Sequence, residues 1–166
     1  VGLYDPPREE VRRAVDTCQA AGIRVIMVTG DQAITARKVG LAVGLIDRED
    51  EPTLPGSELP DPQDLSPEQE ERILQTAVFT RVSPEQKLRL IAAHKAAGSI
   101  VAMTGDGVND APALRKADIG IAMGRRGQQV AKEAADVILQ DDALGTIVSA
   151  VEHGRNIFNN IRKFVL

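Results

Sequence analysis

The stretch Ile100-Val-Ala-Met-Thr-Gly-Asp-Gly-Val-Asn-Asp110 decides the fold. It begins with four apolar residues, which predict a short strand over residues 100–103. A turn rich in glycine and aspartate follows, and it leads into a helix that we expect over residues 109–116. A strand, a polar turn and a helix in succession form the repeating unit of α/β proteins.

The same unit recurs along the chain. Residues 23–28 form an apolar, β-branched run closed by Thr29-Gly30-Asp31, and further strands are expected over residues 77–79, 119–122 and 137–139. Strands this apolar are buried on both sides, which predicts a Rossmann-like parallel sheet with helices on both faces and right-handed crossovers. The composition agrees, because 43% of the 166 residues are hydrophobic and only 2% are aromatic. Aliphatic side chains must therefore fill one α/β core.

Two segments differ from this pattern. Residues 47–67 are crowded with Pro, Asp and Glu, which predicts an exposed loop or short insertion without a catalytic role. From Asp142 onward, apolar residues recur at helical spacing, and basic residues near the end are typical of the cytoplasmic side of a membrane segment. We therefore divide the chain into residues 1–141, a partial domain, and residues 142–166, a stalk helix with Phe158, Phe164 and Val165 exposed. The alternative for the first part of this helix is packing on the sheet.

Composition excludes several classes of function. A formal net charge of -4 argues against binding to nucleic acid, which carries the same sign of charge. A single cysteine, Cys18, excludes an internal disulfide and a cysteine-based zinc site. The chain starts without methionine and stops within an apolar helical pattern, so we expect it to be part of a longer protein.

Three polar groups follow predicted strands or begin predicted helices: Thr29-Gly30-Asp31, Lys87, and Asp106-Gly-Val-Asn-Asp110. In a parallel sheet they fall on the same edge, where ligands of α/β proteins bind. A hydroxyl, an ammonium group and paired carboxylates at one edge suit phosphoryl transfer, because phosphoryl oxygens need donors and positive charge. Carboxylate oxygens also suit Mg²⁺. Each group alone is a common turn or a solvated side chain, and only the combination indicates function.

Longer strings give a family resemblance. Met103-Thr-Gly-Asp-Gly-Val-Asn-Asp-Ala-Pro-Ala-Leu114 resembles the hinge motif of P-type cation-transporting ATPases. Asp5-Pro-Pro-Arg8, Met27-Val-Thr-Gly-Asp31 and Ile119-Gly-Ile-Ala-Met-Gly124 resemble further signatures in the family's order. Residues 154–164 resemble the stalk of the fifth transmembrane helix. The resemblance covers essentially the whole chain and is greatest to the calcium-pump-like subgroup, whose phosphorylation domain has a fold like that of haloacid dehalogenases.

The resemblance implies a role for each matching residue. Thr29 is expected to hold a phosphoryl oxygen, Lys87 to neutralise phosphoryl charge, and Asn109 and Asp110 to fix the phosphate and the lysine. Asp106 is the expected principal Mg²⁺ ligand, with Asp110 as a second metal residue. The remaining expected positions are assigned to cofactor binding: Asp5, Gly30, Asp31 and Arg81. Of these, Asp5, Asp31 and Arg81 either support the residues around the phosphate or lie on the nucleotide side. The implied cofactors are Mg²⁺ and, in the parent enzyme, ATP.

One departure from the family pattern matters most. These pumps are phosphorylated on the aspartate of a DKTGT string, and that string does not occur in this sequence. The resemblance implies a parent that couples ATP hydrolysis to cation transport through an aspartyl-phosphate, with this segment on the cytoplasmic side of the membrane. Its partners would be the DKTGT strand and the nucleotide-binding, actuator and transmembrane domains of the same pump. Without the aspartate, the chain alone is expected to be inactive.

Two alternatives remain at this point. One is a split subunit that binds Mg²⁺ or nucleotide without turnover, and a start codon near Val1 would favour it. The other is a fragment of a dehalogenase-type phosphatase, which would need an Asp-x-Asp pair near its N-terminus. The missing strand also has a structural consequence, because it would lie between the strands ending at Thr29 and Thr104. We expect these strands to pair directly, another segment to fill the slot, or a second chain to donate a strand.

Overall fold

The computed structural model describes residues 9–61 and 64–165 and has α/β architecture. Its helices are α1 (Glu9–Ala20), α2 (Ala33–Ala42), α3 (Pro67–Gln75), α4 (Pro84–Ala96), α5 (Ala111–Lys116), α6 (Gln129–Ala134) and α7 (Leu144–Val165). Its strands are β1 (Met27–Val28), β2 (Leu54–Pro55), β3 (Val78–Thr80), β4 (Ala102–Gly105), β5 (Ile119–Met123) and β6 (Val137–Leu139). The predicted site residue Asp5 lies outside the described residues.

The strands form two parallel sheets of three strands each. The first has the order β1-β3-β2 and the second the order β4-β5-β6. All four strand pairs are parallel, with Val28 opposite Phe79 in the first sheet and Thr104 opposite Ile121 in the second. The predicted parallel α/β fold is confirmed, with the difference that its strands lie in two sheets instead of one.

Strands β1 and β4 are edge strands, and both start later than predicted. Residues 23–26 were expected in β1, but ladder pairing begins only at Met27, opposite Val78. Residues 100 and 101 were expected in β4, yet Ile100 is 84% exposed and lies outside the strand. In the described ranges each of these strands has a partner strand on one side only, so fewer of their residues are fixed in extended pairing.

The same two edges decide how the missing strand is compensated. Within residues 9–61 and 64–165, β1 does not pair with β4, and no other strand lies between them. Two of the three expected arrangements, direct pairing and filling by another segment, are therefore wrong. A strand donated by another chain stays a prediction. The facing edges of β1 and β4 stay apart because each of the two sheets packs on its own helices and has its own core cluster.

The segment at residues 47–67 is more ordered than predicted. It contributes β2 to the first sheet, followed by a 3-10 turn over Gly56–Glu58, and Leu54 and Leu59 are buried. Proline at position 55 hid this strand from sequence analysis, although proline is tolerated on an edge strand such as β2. Gly56 is required, because a Cβ there would lie 2.3 Å from Gln86 Oε1 and 2.7 Å from the Arg81 carbonyl oxygen.

Two helices begin with the same tetrapeptide, Ser-Pro-Glu-Gln. Before α3 and before α4, the serine hydroxyl accepts a hydrogen bond from the glutamine N–H, and the glutamine side chain accepts one from the serine N–H. This capping box satisfies amide groups that a helix start otherwise leaves free. In α4 the serine is Ser83 and the glutamine is Gln86, so the box places Lys87 in the first turn.

Helix α4 connects the two sheets. Its Leu90 and Ala93 pack in the core of the first sheet with Phe79. On the other side, α4 contacts α5, and Lys95 pairs with Asp118 at 2.7 Å, just before β5. Helix α4 and the ion pair at Lys95 therefore contribute to the relative position of the two sheets.

Helix α7 packs against α1, and Arg155 Nη1 donates a hydrogen bond to the Ala21 carbonyl at 3.0 Å. Toward its end, Phe158 is 64% exposed and Phe164 is 94% exposed, as predicted, whereas the side chain of Val165 lies outside the description. In the part of the chain that the structure describes, no helix combines the length and apolarity needed to cross a membrane.

Candidate functional site

Lys87 and Asp110 form the central contact of the candidate site. Lys87 Nζ lies 2.6 Å from Asp110 Oδ1, and the two side chains are only 16% and 13% exposed. Lys87 comes from the first turn of α4, whereas Asp110 comes from the loop after β4. The pair therefore joins the two sheets at the carboxyl ends of their strands, as the sequence predicted for these two residues.

The loop over residues 106–110 is folded around Asp110. The Asp110 N–H donates to the Gly107 carbonyl at 3.0 Å, and the Gly107 N–H donates to Asp110 Oδ2 at 3.2 Å. Gly105 allows this close approach, because a Cβ there would lie 2.5 Å from the Asp110 Cβ. Both carboxylate oxygens of Asp110 thus have partners, one an ammonium group and the other a backbone amide.

The Asp106 carboxylate, in the same loop, lacks the partners that the Asp110 carboxylate has among the described residues. Its side chain is exposed, and within the described residues it has no hydrogen bond or salt bridge. Asn109 is likewise exposed. Asp106 therefore presents free carboxylate oxygens at the edge of the second sheet.

The carboxylates of Asp106 and Asp110 are the candidate ligands for Mg²⁺ in this loop. No cluster of three His, Cys, Asp or Glu side chains able to hold a metal occurs in the described ranges, so an all-protein cage is not available. Mg²⁺ commonly needs only one or two carboxylates, because water and phosphate oxygens complete its shell. Asp106 fits that requirement. Asp110 is engaged by Lys87 and Gly107, which favours a supporting role over direct ligation.

The second group of predicted residues surrounds Thr29, at the end of β1. Thr29 Oγ1 accepts a hydrogen bond from the Asp31 N–H at 3.0 Å. The Thr29 carbonyl accepts from Val82 N–H, and the Asp31 carbonyl accepts from Arg81 N–H, both at 3.0 Å. Arg81 has φ of 49°, a conformation uncommon for a residue with a side chain. The turn after β1 is thereby tied to the turn after β3.

The structure thus brings the predicted residues into two groups. Lys87, Asp106, Asn109 and Asp110 form one group, and Thr29, Gly30, Asp31 and Arg81 form the other. Between the two groups, no hydrogen bond or ion pair is seen in residues 9–61 and 64–165. Both groups lie at carboxyl ends of parallel strands. The group around Thr29 follows the edge strand β1, and the group around Asp110 follows the edge strand β4.

Sequence analysis missed two residues near this edge. Gln128 bonds to the loop at residues 106–110, and Asp142 is buried among backbone amides of residues 125 and 126. Hydrogen bonds to the Arg125 amide, and further ones to residues 126 and 124, keep the pKa of Asp142 below its ordinary value despite burial. For Asp142 the available signal was the Asp141-Asp142 pair, which follows the apolar strand β6 after one intervening residue, because α/β proteins place functional groups after strand ends.

One cavity lies away from these strand ends. A cleft of about 360 Å³ lies between β2, the following 3-10 turn and α3, and Leu54, Leu59, Arg72 and Ile73 line it. None of the predicted site residues contributes to its walls, and Arg72 is already paired with Glu58 at 2.7 Å. We therefore assign the candidate site to the strand ends and not to this cleft.

The chain is similar in sequence to proteins that are named as cation-transporting ATPases. It is 54% identical to the probable cation-transporting ATPase F of Mycobacterium tuberculosis, and the match covers 98% of this chain and 18% of that protein. It is 50% identical to the calcium-transporting ATPase 1 of Yarrowia lipolytica, over 99% of this chain and 18% of that protein. The chain therefore spans less than a fifth of the length of these curated relatives.

A solved structure and a family model agree with these matches. The catalytic domain of the CPx-ATPase CopB-B, studied for its changes on nucleotide binding, superposes with a TM-score of 0.65. That match has 26% identity and covers 89% of this chain and 46% of the other. The family model for haloacid dehalogenase-like hydrolases matches residues 1–118, about 70% of the chain. This chain belongs to the haloacid dehalogenase-like hydrolase family.

Proposed function

We propose that this chain is the C-terminal part of the phosphorylation domain of a P-type cation-transporting ATPase. In this proposal it binds the phosphoryl group and Mg²⁺ during formation and hydrolysis of an aspartyl-phosphate. The aspartate comes from a DKTGT segment elsewhere in the longer protein. The observation that carries the proposal is the 2.6 Å contact between Lys87 and Asp110, in whose loop Asp106 has an exposed carboxylate.

Lys87 supplies positive charge to the phosphoryl oxygens. Its ammonium group has three N–H donors, and Asp110 accepts one of them at 2.6 Å, which fixes the position of Nζ. The remaining N–H groups can donate to an anion. Because the pair is mostly shielded from water, its interaction with phosphoryl charge is stronger than it would be on an open surface.

Thr29 supplies a hydroxyl donor. Its Oγ1 already accepts the Asp31 N–H at 3.0 Å, so the hydroxyl proton is left to donate outward. The space beside Gly30 in this turn is open, because a Cβ built there meets no atom within 4 Å. In the proposal the same turn, with Asp31 and Arg81, faces the nucleotide.

Mg²⁺ would be held by Asp106, with water and phosphoryl oxygens as its other ligands, and would neutralise developing negative charge on the transferred group. Asp110 acts here through Lys87 and through the Gly107 amide, which it holds in place. Asn109 lies between the two aspartates and is assigned to the phosphate.

The open edges of β1 and β4 favour the proposal that a further strand, which carries the aspartate, pairs between them. Among the described residues, no strand pairs with the outer side of β1 or β4, and each of these strands ends at one of the two groups of site residues. The strand and the remaining domains would come from the rest of the same protein, and ATP would bind with their help. By this proposal the domain lies on the cytoplasmic side of a membrane and α7 leads toward a transmembrane helix.

Labelling with radioactive phosphate tests the function. The full-length protein that contains this segment should acquire an acid-stable, hydroxylamine-sensitive label from the γ-phosphate of ATP. Asp106→Asn and Lys87→Ala should abolish or strongly reduce the label, and the isolated chain should acquire none. A matched control is Lys95→Ala, which removes the other lysine of α4 that pairs across the sheets. A label on the isolated chain, or full labelling of both site variants, would contradict the proposal.

A further inference from the structure

Hydrogen bonds within residues 106–110 set the shape of this loop, whereas a residue outside the loop holds it in place. The two hydrogen bonds between Gly107 and Asp110 set its turn. They do not fix Asp106, whose side chain is exposed and has no partner in the described residues. Whatever holds the backbone on either side of Gly107 therefore decides where the Asp106 carboxylate lies.

Gln128 provides this support. Its backbone N–H donates to the Asp106 carbonyl at 2.8 Å, and its side-chain Oε1 accepts the Val108 N–H at 2.9 Å. One residue thus bonds to both flanks of Gly107. Val108 begins the 3-10 turn Val108–Asp110, so its amide would otherwise lack a partner within that turn.

The side chain of Gln128 is available for this because it does not cap its own helix. Gln128 is the residue before α6, a position where a side chain commonly accepts a hydrogen bond from the first helical turn, but here it makes no such bond. Its amide oxygen reaches across to Val108 instead. Its neighbour Gln129 bonds within α6, to Glu133 at 3.0 Å, and in the described part of the chain its side chain makes no hydrogen bond to the loop.

Gln128 is itself held by a rigid segment. Asp142 accepts the Arg125 and Arg126 N–H groups, both at 2.9 Å, and its side chain is only 4% exposed. Gly127 cannot be replaced without movement, because a Cβ there would lie 1.9 Å from the Met123 carbonyl oxygen. Residues 125–127 are therefore fixed to β5 and to the end of β6. Because Gln128 follows them directly, its position, and with it the position of the loop, depends on these contacts.

We propose that Gln128 is a positioning residue that sets the Asp106 carboxylate for metal and phosphoryl binding, with Asp142 holding the segment from which it acts. The inference rests on the proposed function, because it concerns the same site. In phosphoryl transfer, placement of charged groups supplies most of the rate. Loss of the Val108 hydrogen bond should therefore raise the Mg²⁺ concentration at half-maximal phosphorylation by about 3- to 10-fold. Half-saturation by ATP should stay unchanged.

The test compares Gln128→Ala, Gln128→Glu and the control Gln129→Ala in the full-length protein. Hydrogen–deuterium exchange of the peptide containing Val108 reports on the hydrogen bond without any activity. Gln128→Ala should speed that exchange by about 3- to 10-fold. Gln128→Glu retains an acceptor oxygen and should keep the native rate. Gln129→Ala should match the native protein in both exchange and Mg²⁺ dependence.

Each other outcome has a defined meaning. If Gln128→Ala exchanges like Gln129→Ala, the support is absent and the inference is overturned. If exchange rises but the Mg²⁺ dependence does not move, Gln128 holds the loop without positioning Asp106, and the inference is again overturned. If the native protein forms no phosphoenzyme, the proposed function fails first, and that result is distinguishable because the exchange measurement still reports on the hydrogen bond.

Discussion

Removing the Asp110 carboxylate should destabilise the chain by more than the loss of a surface ion pair. In Asp110→Ala, the Lys87 ammonium would keep its position, with a side chain only 16% exposed, and would lose its sole anionic partner in the described structure. The Gly107 N–H would also lose its acceptor. A mostly buried charge without its partner costs roughly 3–5 kcal/mol, and a charged hydrogen bond contributes about 1.5–3 kcal/mol.

The remaining access to water lowers the first figure, so we expect a loss of about 2–3 kcal/mol. For a chain of this length, that corresponds to a fall in melting temperature of about 4–12 °C. Removing both partners in Lys87→Met/Asp110→Ala should restore part of the loss, because the ammonium is no longer left alone. Urea denaturation of the four proteins in this cycle measures the coupling energy between the two side chains.

The chain offers a matched control in Lys95 and Asp118. This pair also joins α4 to the second sheet, at 2.7 Å, but its side chains are 35% and 34% exposed. Water screens it better, so Asp118→Ala should lower the free energy of unfolding by less than Asp110→Ala. Equal losses for the two aspartates, or a loss below about 0.5 kcal/mol for Asp110→Ala, would refute the argument from burial.

Three further predictions concern the metal, pH and packing. Asp106 is the one free carboxylate of the loop, so Mg²⁺ should bind the isolated chain more weakly than micromolar. Calorimetry should show that Asp106→Ala removes this binding. A sub-micromolar Kd, or binding that Asp106→Ala leaves unchanged, would contradict the assignment of Asp106. Hydrogen bonds depress the Asp142 pKa, so its carboxylate stabilises the fold above the unfolded pKa of about 3.9, and this contribution disappears as the pH falls through the lower folded pKa. Urea midpoints should therefore be lower for Asp142→Asn than for the native chain at pH 7 and converge in strong acid, whereas a difference independent of pH would count against the hydrogen-bond argument. Gly56→Ala should cost about 1–3 kcal/mol through the contact with Arg81, while Gly154→Ala, which meets no atom within 4 Å, should be neutral or stabilising in the same thermal melt.

Sequence patterns predicted the parts of the fold that depend on local chemistry. The apolar run at residues 119–122 predicted a strand that the structure contains as Ile119–Met123, and the turn at residues 106–110 predicted the helix that follows it. The contact between Lys87 and Asp110 was also predictable, because the family motif implied it. These features depend on neighbours within a few residues or on a strong family signature.

What the sequence could not show depends on contacts between distant segments. The strand β2 has only two residues, one of them Pro55, so no periodicity marks it, and its order depends on pairing with β3. Gln128 has no intrinsic signal, because its role arises only when α6 brings it beside Val108. The division into two sheets likewise follows from which edges find partners, and a prediction based on one complete sheet missed it.

The central claim is that an aspartate-bearing strand completes this site between β1 and β4. Its most direct test is amide hydrogen exchange of the isolated chain with and without a fragment carrying the DKTGT strand. The account predicts binding, a higher melting temperature, and slower exchange at Met27–Val28 and Ala102–Gly105, the two open edges. A fragment that fails to bind the folded chain, or that binds without protecting both edges, would contradict the claim.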